Sequence, residues 1–330
     1  MGVERQAADG RPRGFAAAVS GPGWAEVAVP ASSGNLGAGF DALGLALELR
    51  NTYRFEPSSH DHIEATGKFA EFVPRDVRRN LAFRAFRSLA PAAAGPYRLH
   101  ARRIIPAQGG LGSSASAIVG GLVAATLAFD LDVPQDDLLR RAVELEGHAD
   151  NVAPALLGGM VVTVPDGPDL AWLRLEFPPT VGIVLVVPGY RVPTHRARQV
   201  LPDQVPRADA VANLARAALM VGAVSQERFE LFQEAMTDRL HQPYRAALNP
   251  ALEPCMAAAR DAGAYGTALS GSGPTVIAFG PRDRNLSVAS SMADACLDSG
   301  HSCETYVVSA AAEGAHPTET WRTQTRPADL

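Results

Sequence analysis

The chain has 330 residues, of which 47% are hydrophobic and 20% are charged, and its formal net charge is −5 at pH 7. These values are typical of a globular protein of two domains with a large core, and they exclude a disordered or fibrous chain. The acidic balance gives no general attraction to nucleic acid or to an anionic membrane, so we expect neither as a partner.

The N-terminus and the cysteines predict a cytoplasmic protein. Residues 1–23 mix arginines with Asp and Gly and lack an apolar segment with a cleavage site, so we expect a disordered extension and not a secretory signal. Cys255, Cys296 and Cys303 have no paired spacing, which indicates the thiols of a reducing compartment. The sequence contains no uninterrupted run of 18 apolar residues, so we do not expect a transmembrane helix.

The first predicted element is a strand over residues 24–29, where apolar and polar residues alternate until Pro30 ends the pattern. Residues 31–41 (ASSGNLGAGFD) then predict a loop rich in hydrogen-bonding groups, for which a capped turn is the plain alternative. Residues 43–55 predict a second extended stretch, and residues 80–89 place their apolar side chains at helical spacing.

The most informative stretch is residues 106–116 (PAQGGLGSSAS), between a strand predicted over 97–105 and an apolar helix predicted over 115–128. Glycines before a helix let the backbone approach a ligand, and the free N–H groups and positive dipole of the helix N-terminus favour an anion. Ser114 is placed to offer its hydroxyl to a metal bound to that anion. A glycine turn capped by Ser113 stays open as the plain alternative, because this loop has neither the lysine of the G-x-x-x-x-G-K-[ST] loop nor the G-x-G-x-x-G spacing.

A second informative stretch surrounds the end of the helix predicted over residues 134–146, which Gly147 stops. Glu144 and Glu146 lie at the helix C-terminus, where the dipole disfavours a carboxylate, and this mismatch suggests a function for one of them. The polar segment 148–154 (HADNVAP) follows directly.

The Pro-, Asp- and Gly-rich segment 165–169 is the predicted domain boundary. Beyond it, strands and helices alternate, and a second glycine loop, residues 269–275 (LSGSGPT), lies between two short strands. The predicted limits are a disordered extension at 1–23, an N-terminal domain at 24–168, a C-terminal domain at 169–308, and a polar, disordered tail at 309–330.

These features together favour phosphoryl transfer over hydrolysis. That reaction needs backbone donors around the phosphates, a carboxylate and a hydroxyl on Mg²⁺, and an oriented acceptor hydroxyl. Residues 109–116 meet the first need, and Ser114 with Glu146 meets the second. Either Asp150 or Asn151 could orient the acceptor.

Four segments resemble, in order and spacing, the motifs of the GHMP kinase superfamily, and within it those of the homoserine kinases: residues 27–41, 106–116, 146–159 and 269–276. The resemblance extends from about residue 24 to residue 308. It implies an α+β, two-domain GHMP kinase fold, with an N-terminal ribosomal-S5-like ATP-binding half, a C-terminal ferredoxin-like half, and the active site between them.

The resemblance also implies an enzyme that uses ATP and Mg²⁺ to phosphorylate the side-chain hydroxyl of L-homoserine, giving O-phospho-L-homoserine for threonine biosynthesis. Its implied metal ligands are Ser114 and Glu146, and these act in catalysis together with Asp150 and Asn151. The implied ATP-binding residues are Pro106, Gly109, Gly110, Leu111, Gly112, Ser113, Ser114, Ala115 and Ser116.

Homoserine is a zwitterion, so its ammonium suits Asp41 and its carboxylate suits the guanidinium groups of Arg198 and Arg245. Asparagines can hydrogen-bond the amino-acid backbone and the side-chain hydroxyl. The implied substrate-binding residues are Asn35, Asp41, Asn151, Thr194, Arg198, Arg245 and Gly271.

The residues considered for the group next to the acceptor hydroxyl are two neighbours, Asp150 and Asn151. Related kinases use an Asp, whereas in homoserine kinases an Asn is thought to lie near the hydroxyl, and the sequence does not decide whether Asp150 or Asn151 faces the site. An amide can orient a hydroxyl but cannot accept its proton at neutral pH, so with Asn151 there catalysis rests on positioning and charge stabilisation. His148 is another candidate base, although a histidine in such a turn is more often a cap or a packed ring.

Several positions depart from the homoserine kinase pattern: Ser33-Gly34 replaces Thr-Ala, Ala38 and Ala149 each replace a Pro, and residues 107–109 replace a version with His-Gly. The alternatives are therefore a kinase for another small alcohol or amino alcohol, and a catalytically silent regulatory relative. The oligomeric state is open at this point, with a homodimer among the states considered.

Overall fold

The computed structural model describes residues 23–164 and 170–325. The predicted extension, apart from Gly23, and the predicted boundary at 165–169 lie outside the described residues. The strands are β1 (Ala25–Gly34), β2 (Leu43–Pro57), β3 (His62–Thr66), β4 (Tyr97–Arg102), β5 (Met160–Val164), β6 (Ala171–Leu175), β7 (Val181–Pro188), β8 (Gly266–Leu269), β9 (Val276–Pro281), β10 (Cys303–Val308) and β11 (His316–Pro317).

Helices connect these strands in both halves of the chain. They are α1 (Leu81–Leu89), α2 (Ser113–Ala128), α3 (Gln135–Glu146), α4 (Ala149–Leu157), α5 (Thr194–Gln199), α6 (Arg207–Ser225), α7 (Phe232–Ala235), α8 (Gln242–Arg245), α9 (Leu252–Asp261), α10 (Asn285–Asp298) and α11 (Glu319–Thr325). The helices predicted over 80–89, 115–128 and 134–146 are confirmed as α1, α2 and α3. Asn80 begins α1 by accepting a hydrogen bond from the Phe83 backbone N–H at 3.0 Å.

The first sheet has seven strands, with β11, β1, β2, β4 and β3 side by side and β5 and β6 continuing from β2. The 15-residue β2 is long enough to serve two neighbours: residues 52–57 pair with β4, and residues 43–45 pair with β5. The apolar helix α2 is buried on almost every side and packs with α1 against this sheet. This packing fixes where the N-terminus of α2 lies.

β1 continues past Pro30, so the prediction that this proline ends the strand is wrong. The pairing register between β1 and β2 shifts between Pro30 and Ala31, and pairing then resumes to Gly34. Proline has no backbone N–H group to donate to a neighbouring strand, and a β-bulge tolerates this missing hydrogen bond. Ser32 and Ser33 therefore lie on a buried strand and not in the predicted loop.

The second sheet has the strand order β10-β7-β9-β8, with every neighbouring pair antiparallel. With α9 and α10 packed on one face, this is the predicted ferredoxin-like arrangement. The other face joins α6 and α7 to residues of the first half, such as Leu45 and Met160, in a shared hydrophobic core. The two halves are thus packed together around the loops that the sequence singled out.

Two predicted domain limits are corrected by the sheet topology. β6 pairs with β5 in the first sheet, so the second half does not begin at residue 169. The tail predicted to be disordered from residue 309 is ordered through residue 325: β11 pairs with β1, and α11 buries Trp321. The prediction of disorder rested on composition alone. Composition does not show that a polar segment can be ordered by backbone pairing to a sheet edge.

The helix α6 is long and apolar enough to cross a membrane by length and composition, with a mean hydropathy of 1.2 and 22% of its window buried. It nevertheless belongs to the fold. Its side chains form ion pairs with neighbouring segments, Asp209 with Arg239 and Arg216 with Glu234, and Met220 packs into the shared core.

Candidate active site

A cavity of about 390 Å³ lies where the two halves meet and collects most of the predicted site residues. Pro106, Ala115 and Ser116 do not line it. The predicted residues that do line it are Asn35, Asp41, Gly109, Gly110, Leu111, Gly112, Ser113, Ser114, Glu146, Asp150, Asn151, Thr194, Arg198, Arg245 and Gly271.

The glycine loop before α2 lies directly against the second glycine loop. Gly110 has φ +78°, and a Cβ atom there would lie 2.2 Å from the carbonyl oxygen of Ser270. The Ser270 hydroxyl donates to the Gly110 carbonyl at 2.7 Å, and the Thr275 N–H donates to the Gly109 carbonyl at 3.2 Å. The two halves of the chain therefore hold this loop together, and glycine is required at the contact.

The N-terminus of α2 opens on the cavity without a side-chain cap. Gly112 is the N-cap residue, with φ +64°, and the Ser113 hydroxyl accepts a hydrogen bond from Arg103 instead of capping the helix. The alternative of a turn capped by Ser113 is therefore wrong. The free N–H groups remain available for an anion, and the mostly buried Arg103, which the sequence analysis missed, adds a cation beside them.

Ser116 turns away from the cavity, which corrects its predicted place among the ATP-binding side chains. It is fully buried and lies 3.1 Å from the Tyr53 hydroxyl. Asn51 donates to Ser116 at 3.3 Å and accepts from the backbone N–H groups of Ile104 and Ile105 at 2.8 and 3.0 Å. Ser116 thus lies on the core-facing side of α2 and supports the loop from behind.

A row of acidic and hydroxyl groups lies beside the α2 N-terminus. The Ser114 hydroxyl donates to the Glu146 carboxylate, and His148 Nε2 lies 3.9 Å from the same carboxylate. Burial raises the pKa of Glu146, although the Ser114 hydrogen bond opposes this shift. Burial disfavours the charged form of His148, but its 2.8 Å hydrogen bond to Asp150 and the nearby carboxylates outweigh this effect, so the pKa of His148 is raised.

The oxygen ligands in this row fit Mg²⁺. No group of three His, Cys, Asp or Glu side chains within residues 23–164 and 170–325 could hold a metal ion alone. Mg²⁺, however, is usually bound by one or two carboxylates together with phosphate and water oxygens. The Glu146 carboxylate and the adjacent Ser114 hydroxyl would supply such a partial site.

Asp150 and Asn151 both line the cavity at the start of α4. Asn151 Oδ1 accepts a hydrogen bond from the Ser32 hydroxyl at 3.0 Å. Asp150 lies so close to β1 that a Cβ atom on Gly34 would be 2.1 Å from its Oδ2. The departure at Gly34 noted in the sequence thus coincides with the closest approach of Asp150. His148 neither caps α4 through its side chain nor packs as an isolated ring, since it binds Asp150.

The loop after β1 brings Asp41 opposite α5. Arg198 makes a two-pronged contact with Asp41, at 3.0 Å from Nη1 to Oδ2 and 2.8 Å from Nη2 to Oδ1. Asn35 accepts from the Asp41 N–H at 3.0 Å and donates to the Gly271 carbonyl at 2.8 Å. Thr194, at the start of α5, lies 3.3 Å from the Ser272 hydroxyl. One compact polar end of the cavity results.

Arg245 is 2% exposed and closes this end of the cavity. Its Nε donates to the Ala197 carbonyl at 3.0 Å, and its Nη1 donates to the Gly271 carbonyl at 3.1 Å. Burial, followed by repulsion from Arg198, lowers the pKa of Arg245 to about 10, so the side chain keeps its charge at neutral pH. Two arginines and one carboxylate here suit a small zwitterion.

Another part of the cavity is less polar and was not anticipated from the sequence. It is lined by residues around the start of α1, including Phe72, Val73, Pro74 and Arg79. No local motif marks these residues, because they reach the cavity through the packing of α1 on α2. The cavity thus joins a less polar part, a loop that could bind an anion, and a polar end at Asp41, Arg198 and Arg245 that could bind a zwitterion (the zwitterion-binding end).

Comparison with known proteins agrees with this geometry. Residues 80–159 match the family described as GHMP kinases N terminal domain, and residues 220–297 match the family described as GHMP kinases C terminal. The mevalonate kinase of Methanococcus jannaschii shares the fold, with a TM-score of 0.64 at 13% identity over 86% of this chain and 98% of that chain. The two halves of the chain thus have the N- and C-terminal domains and the fold of the GHMP kinase class.

Proteins of similar sequence identify the family within the GHMP kinase class. The chain is 45% identical to the homoserine kinase of Carboxydothermus hydrogenoformans over 77% of this chain and 84% of that protein. It is 40% identical to the homoserine kinase of Desulfitobacterium hafniense over 88% of this chain and 98% of that protein. The crystal structure of a Cytophaga hutchinsonii homoserine kinase covers 89% of this chain and 97% of its own, with a TM-score of 0.81 at 27% identity. The chain belongs to the homoserine kinase family.

Proposed function

We propose that this protein transfers the γ-phosphoryl group of ATP to the side-chain hydroxyl of L-homoserine, giving O-phospho-L-homoserine for threonine biosynthesis. The observation that carries the proposal is one cavity joining the uncapped α2 N-terminus to the pair formed by Asp41 and Arg198. An anion-binding loop alone suits many kinases, whereas the added zwitterion-binding end suits an amino-acid acceptor. The named relatives support the same substrate.

The triphosphate of ATP would lie on residues 109–114. The backbone N–H groups at the α2 N-terminus would donate to the phosphate oxygens, and Arg103 would add charge at the same place. Ser114 and Glu146 would hold Mg²⁺, which supplies charge neutralisation to the phosphates when bound. The apolar end near Phe72 and Val73 would receive the nucleoside.

Homoserine would bind by exchanging partners with a preformed ion pair. In the structure, Asp41 and Arg198 neutralise each other, and their side chains are 32% and 38% exposed. A pair this exposed contributes little to stability, so opening it costs little. The substrate ammonium would bind Asp41, and the substrate carboxylate would bind Arg198 and Arg245. Further contacts would come from Asn35, Thr194 and Gly271.

Asn151 would orient the acceptor hydroxyl. Its Oδ1 is already bound by Ser32, and its amide nitrogen donates to none of the described residues, which leaves a donor for the hydroxyl oxygen. Asp150 Oδ1 is engaged by His148 Nδ1 at 2.8 Å, so this oxygen is not free to take the hydroxyl proton. We therefore infer that positioning and charge stabilisation drive the transfer, with the hydroxyl proton passing to the transferred phosphoryl group.

A steady-state assay over homoserine, serine, threonine and mevalonate at saturating ATP and Mg²⁺ tests the function. Homoserine should give the highest kcat/KM. A higher value for mevalonate would contradict the proposal, and an absence of ADP release with homoserine would favour a silent relative. A Glu146→Gln preparation purified in the same way controls for contaminating host kinases.

We also propose a cytoplasmic homodimer without a nucleic-acid or membrane partner. The three cysteines are free thiols, as expected in a reducing compartment. Val211 and Leu214 on α6 are 58% and 72% exposed, and a second copy of the chain could cover this apolar face. Sedimentation of the wild type and of Leu214→Glu tests the dimer, which the charged variant should weaken.

A further inference from the structure

A buried polar cluster lies directly behind the zwitterion-binding end of the cavity, and the function proposed above assigns it no role. At its centre is His241, which precedes α8 and is 0% exposed. Its Nε2 lies 2.8 Å from the Gly37 carbonyl oxygen, and its Nδ1 lies 3.2 Å from Nη1 of Arg245. One imidazole therefore touches both the loop that carries Asp41 and the buried arginine.

The protonation of this ring follows from its partners. A guanidinium can only donate, so Nδ1 of His241 must accept from Arg245. The Gly37 carbonyl can only accept, so Nε2 must carry the proton and donate to it. The ring is therefore neutral, and burial together with the charge of Arg245 lowers its pKa, despite the opposing charge of Asp238.

Asp238 and Asn213 hold the cluster in place. Asp238 Oδ2 accepts from the backbone N–H groups of His241 and Gln242 at 3.0 and 2.6 Å. Asn213 on α6 donates to Asp238 Oδ1 at 2.7 Å and to the Ala38 carbonyl at 3.2 Å. The backbone at His241 and the loop beside Gly37 are thus fastened to the same two buried side chains.

Phe40 connects His241 with both arginines of the site. Its ring stacks on His241 with centroids 5.2 Å apart, and the guanidinium groups of Arg245 and Arg198 lie 5.4 and 6.0 Å from its centre. Arg245 in turn uses Nε and Nη1 for the protein, whereas its Nη2 donates to none of the described residues. Nη2 is thus left for a ligand oxygen in the cavity that Arg245 lines.

We propose that His241 is a positioning residue that links the Gly37 carbonyl to the Arg245 guanidinium and so sets the separation between the ammonium-binding and carboxylate-binding groups. The proposal rests on the function inferred above, in which Asp41 and Arg245 hold the amino-acid substrate. Loss of the ring would leave Arg245 without one of its acceptors and the Gly37 loop without one of its anchors. Both ends of the substrate site would then lose their fixed geometry.

Three substitutions of His241 distinguish the effect of its two hydrogen bonds from the effect of its side-chain volume. His241→Leu fills much of the space and removes both hydrogen bonds. His241→Asn places an oxygen where Nδ1 accepts from Arg245, and His241→Gln places an amide nitrogen where Nε2 donates to Gly37. We expect His241→Leu to raise the homoserine KM about tenfold or more, because a hydrogen bond to a charged group is lost. The ATP KM should stay within about twofold, and the Asn and Gln variants should each recover part of the loss.

Wild-type homoserine kinase activity is measured first, so that failure of the proposed function is distinguished from failure of this inference. A homoserine KM within about twofold of wild type in all three variants would overturn the inference. Equal rises in both KM values, with a lowered Tm, would show a structural role and would also overturn it. If His241→Leu does not fold, the Asn and Gln variants carry the test. His316→Asn, at a half-buried histidine that does not line the cavity, is the matched control.

Discussion

Burial of the Glu146 carboxylate, a proposed Mg²⁺ ligand, lowers the stability of the folded protein at neutral pH. Its carboxylate is mostly buried, and among the described residues the ring of His148 is the one cationic group near it, at 3.9 Å. Burial raises its pKa in the native state, so the folded protein holds its proton to a higher pH than the unfolded chain does. The contribution of Glu146 to stability is therefore greatest below its ordinary pKa and falls as the pH rises through the native-state value.

Glu146→Gln should consequently separate stability from activity. In metal-free buffer the variant should melt at a higher temperature than wild type at pH 8 and at the same temperature at pH 4, while its kcat falls by about 100-fold. Thermal scans and steady-state assays measure the two effects. Glu144→Gln, an exposed position near the end of α3, should change neither, and a lower Tm for Glu146→Gln at pH 8 would contradict the argument.

Asp150 offers a test of the catalytic step. A general base contributes about 100-fold or more to a rate, so Asp150→Asn should cost less than about tenfold in kcat if positioning drives the transfer. The Asn variant keeps an oxygen acceptor for His148, which preserves the local geometry. Single-turnover rates across pH measure the effect. A loss of 100-fold or more would make Asp150 the base.

Arg245 should determine affinity for the amino acid. Arg245→Ala removes a buried cation from the zwitterion-binding end, and we expect the homoserine KM to rise about 100-fold with the ATP KM nearly unchanged. Arg239→Ala, at an exposed arginine paired with Asp209, is the control and should change neither value. Equal effects of Arg245→Ala on both substrates would remove its assigned role.

At the scale of elements, the site depends on two glycine loops that meet from opposite halves of the chain. The Ser270 hydroxyl donates to the Gly110 carbonyl at 2.7 Å, so each loop restrains the conformation of the other. The Ser33 and Ser270 hydroxyls join the same region at 2.9 Å. The anion-binding loop is thus shaped by tertiary contacts as well as by its own glycines.

Gly110→Ala should disrupt this contact. The left-handed φ and the approach to the Ser270 carbonyl both oppose a side chain, so we expect a loss of about 2 kcal/mol in unfolding free energy and an ATP KM raised about tenfold. Urea unfolding and ATP titration measure these effects. Gly95→Ala, where a Cβ would meet no atom within 4 Å, should behave as wild type. Similar values for both variants would contradict the role of the contact.

At the scale of the whole molecule, the chain returns after β10 to the half in which it began. The Ala311 N–H donates to the Ala46 carbonyl at 2.9 Å, and the Ala315 N–H donates to the Ala155 carbonyl at 2.9 Å. Ala155 lies in α4, the helix that carries Asn151, so the returning segment braces a functional helix from outside. The terminal segment is therefore part of the first half.

Trp321→Ala tests this brace. The ring is 8% exposed, and its Nε1 donates to the Trp24 carbonyl at 2.7 Å. Truncation of a buried tryptophan costs about 3 kcal/mol or more, whereas Thr320→Ala at the exposed neighbouring position should cost almost nothing. Chemical unfolding of both variants measures the difference. Equal stabilities would mean that the segment does not contribute to the fold.

The local features of this site are predictable from sequence because they depend on short-range constraints. Gly147, which ends α3, and Gly110, which approaches another backbone, adopt positive φ as expected of glycine, and so does Gly112 at the start of α2. The helix α2 is recognisable from its small apolar residues, and the position of Glu146 at a helix end is recognisable as an electrostatic mismatch. These signals, with the spacing of the motifs, suffice to predict the class of enzyme and many of the residues that line the cavity.

Other features were decided by contacts between distant parts of the chain. Asn35 binds the Gly271 carbonyl across 236 residues of sequence, and His241 binds the Gly37 carbonyl across 204. No local pattern specifies such partners, nor the turn of Ser116 into the core or the place of β6 in the first sheet. The sequence by itself therefore predicted which groups would bind phosphate and an amino acid. Tertiary packing decided how these groups are paired, buried and held apart, because burial and pairing depend on which surfaces meet.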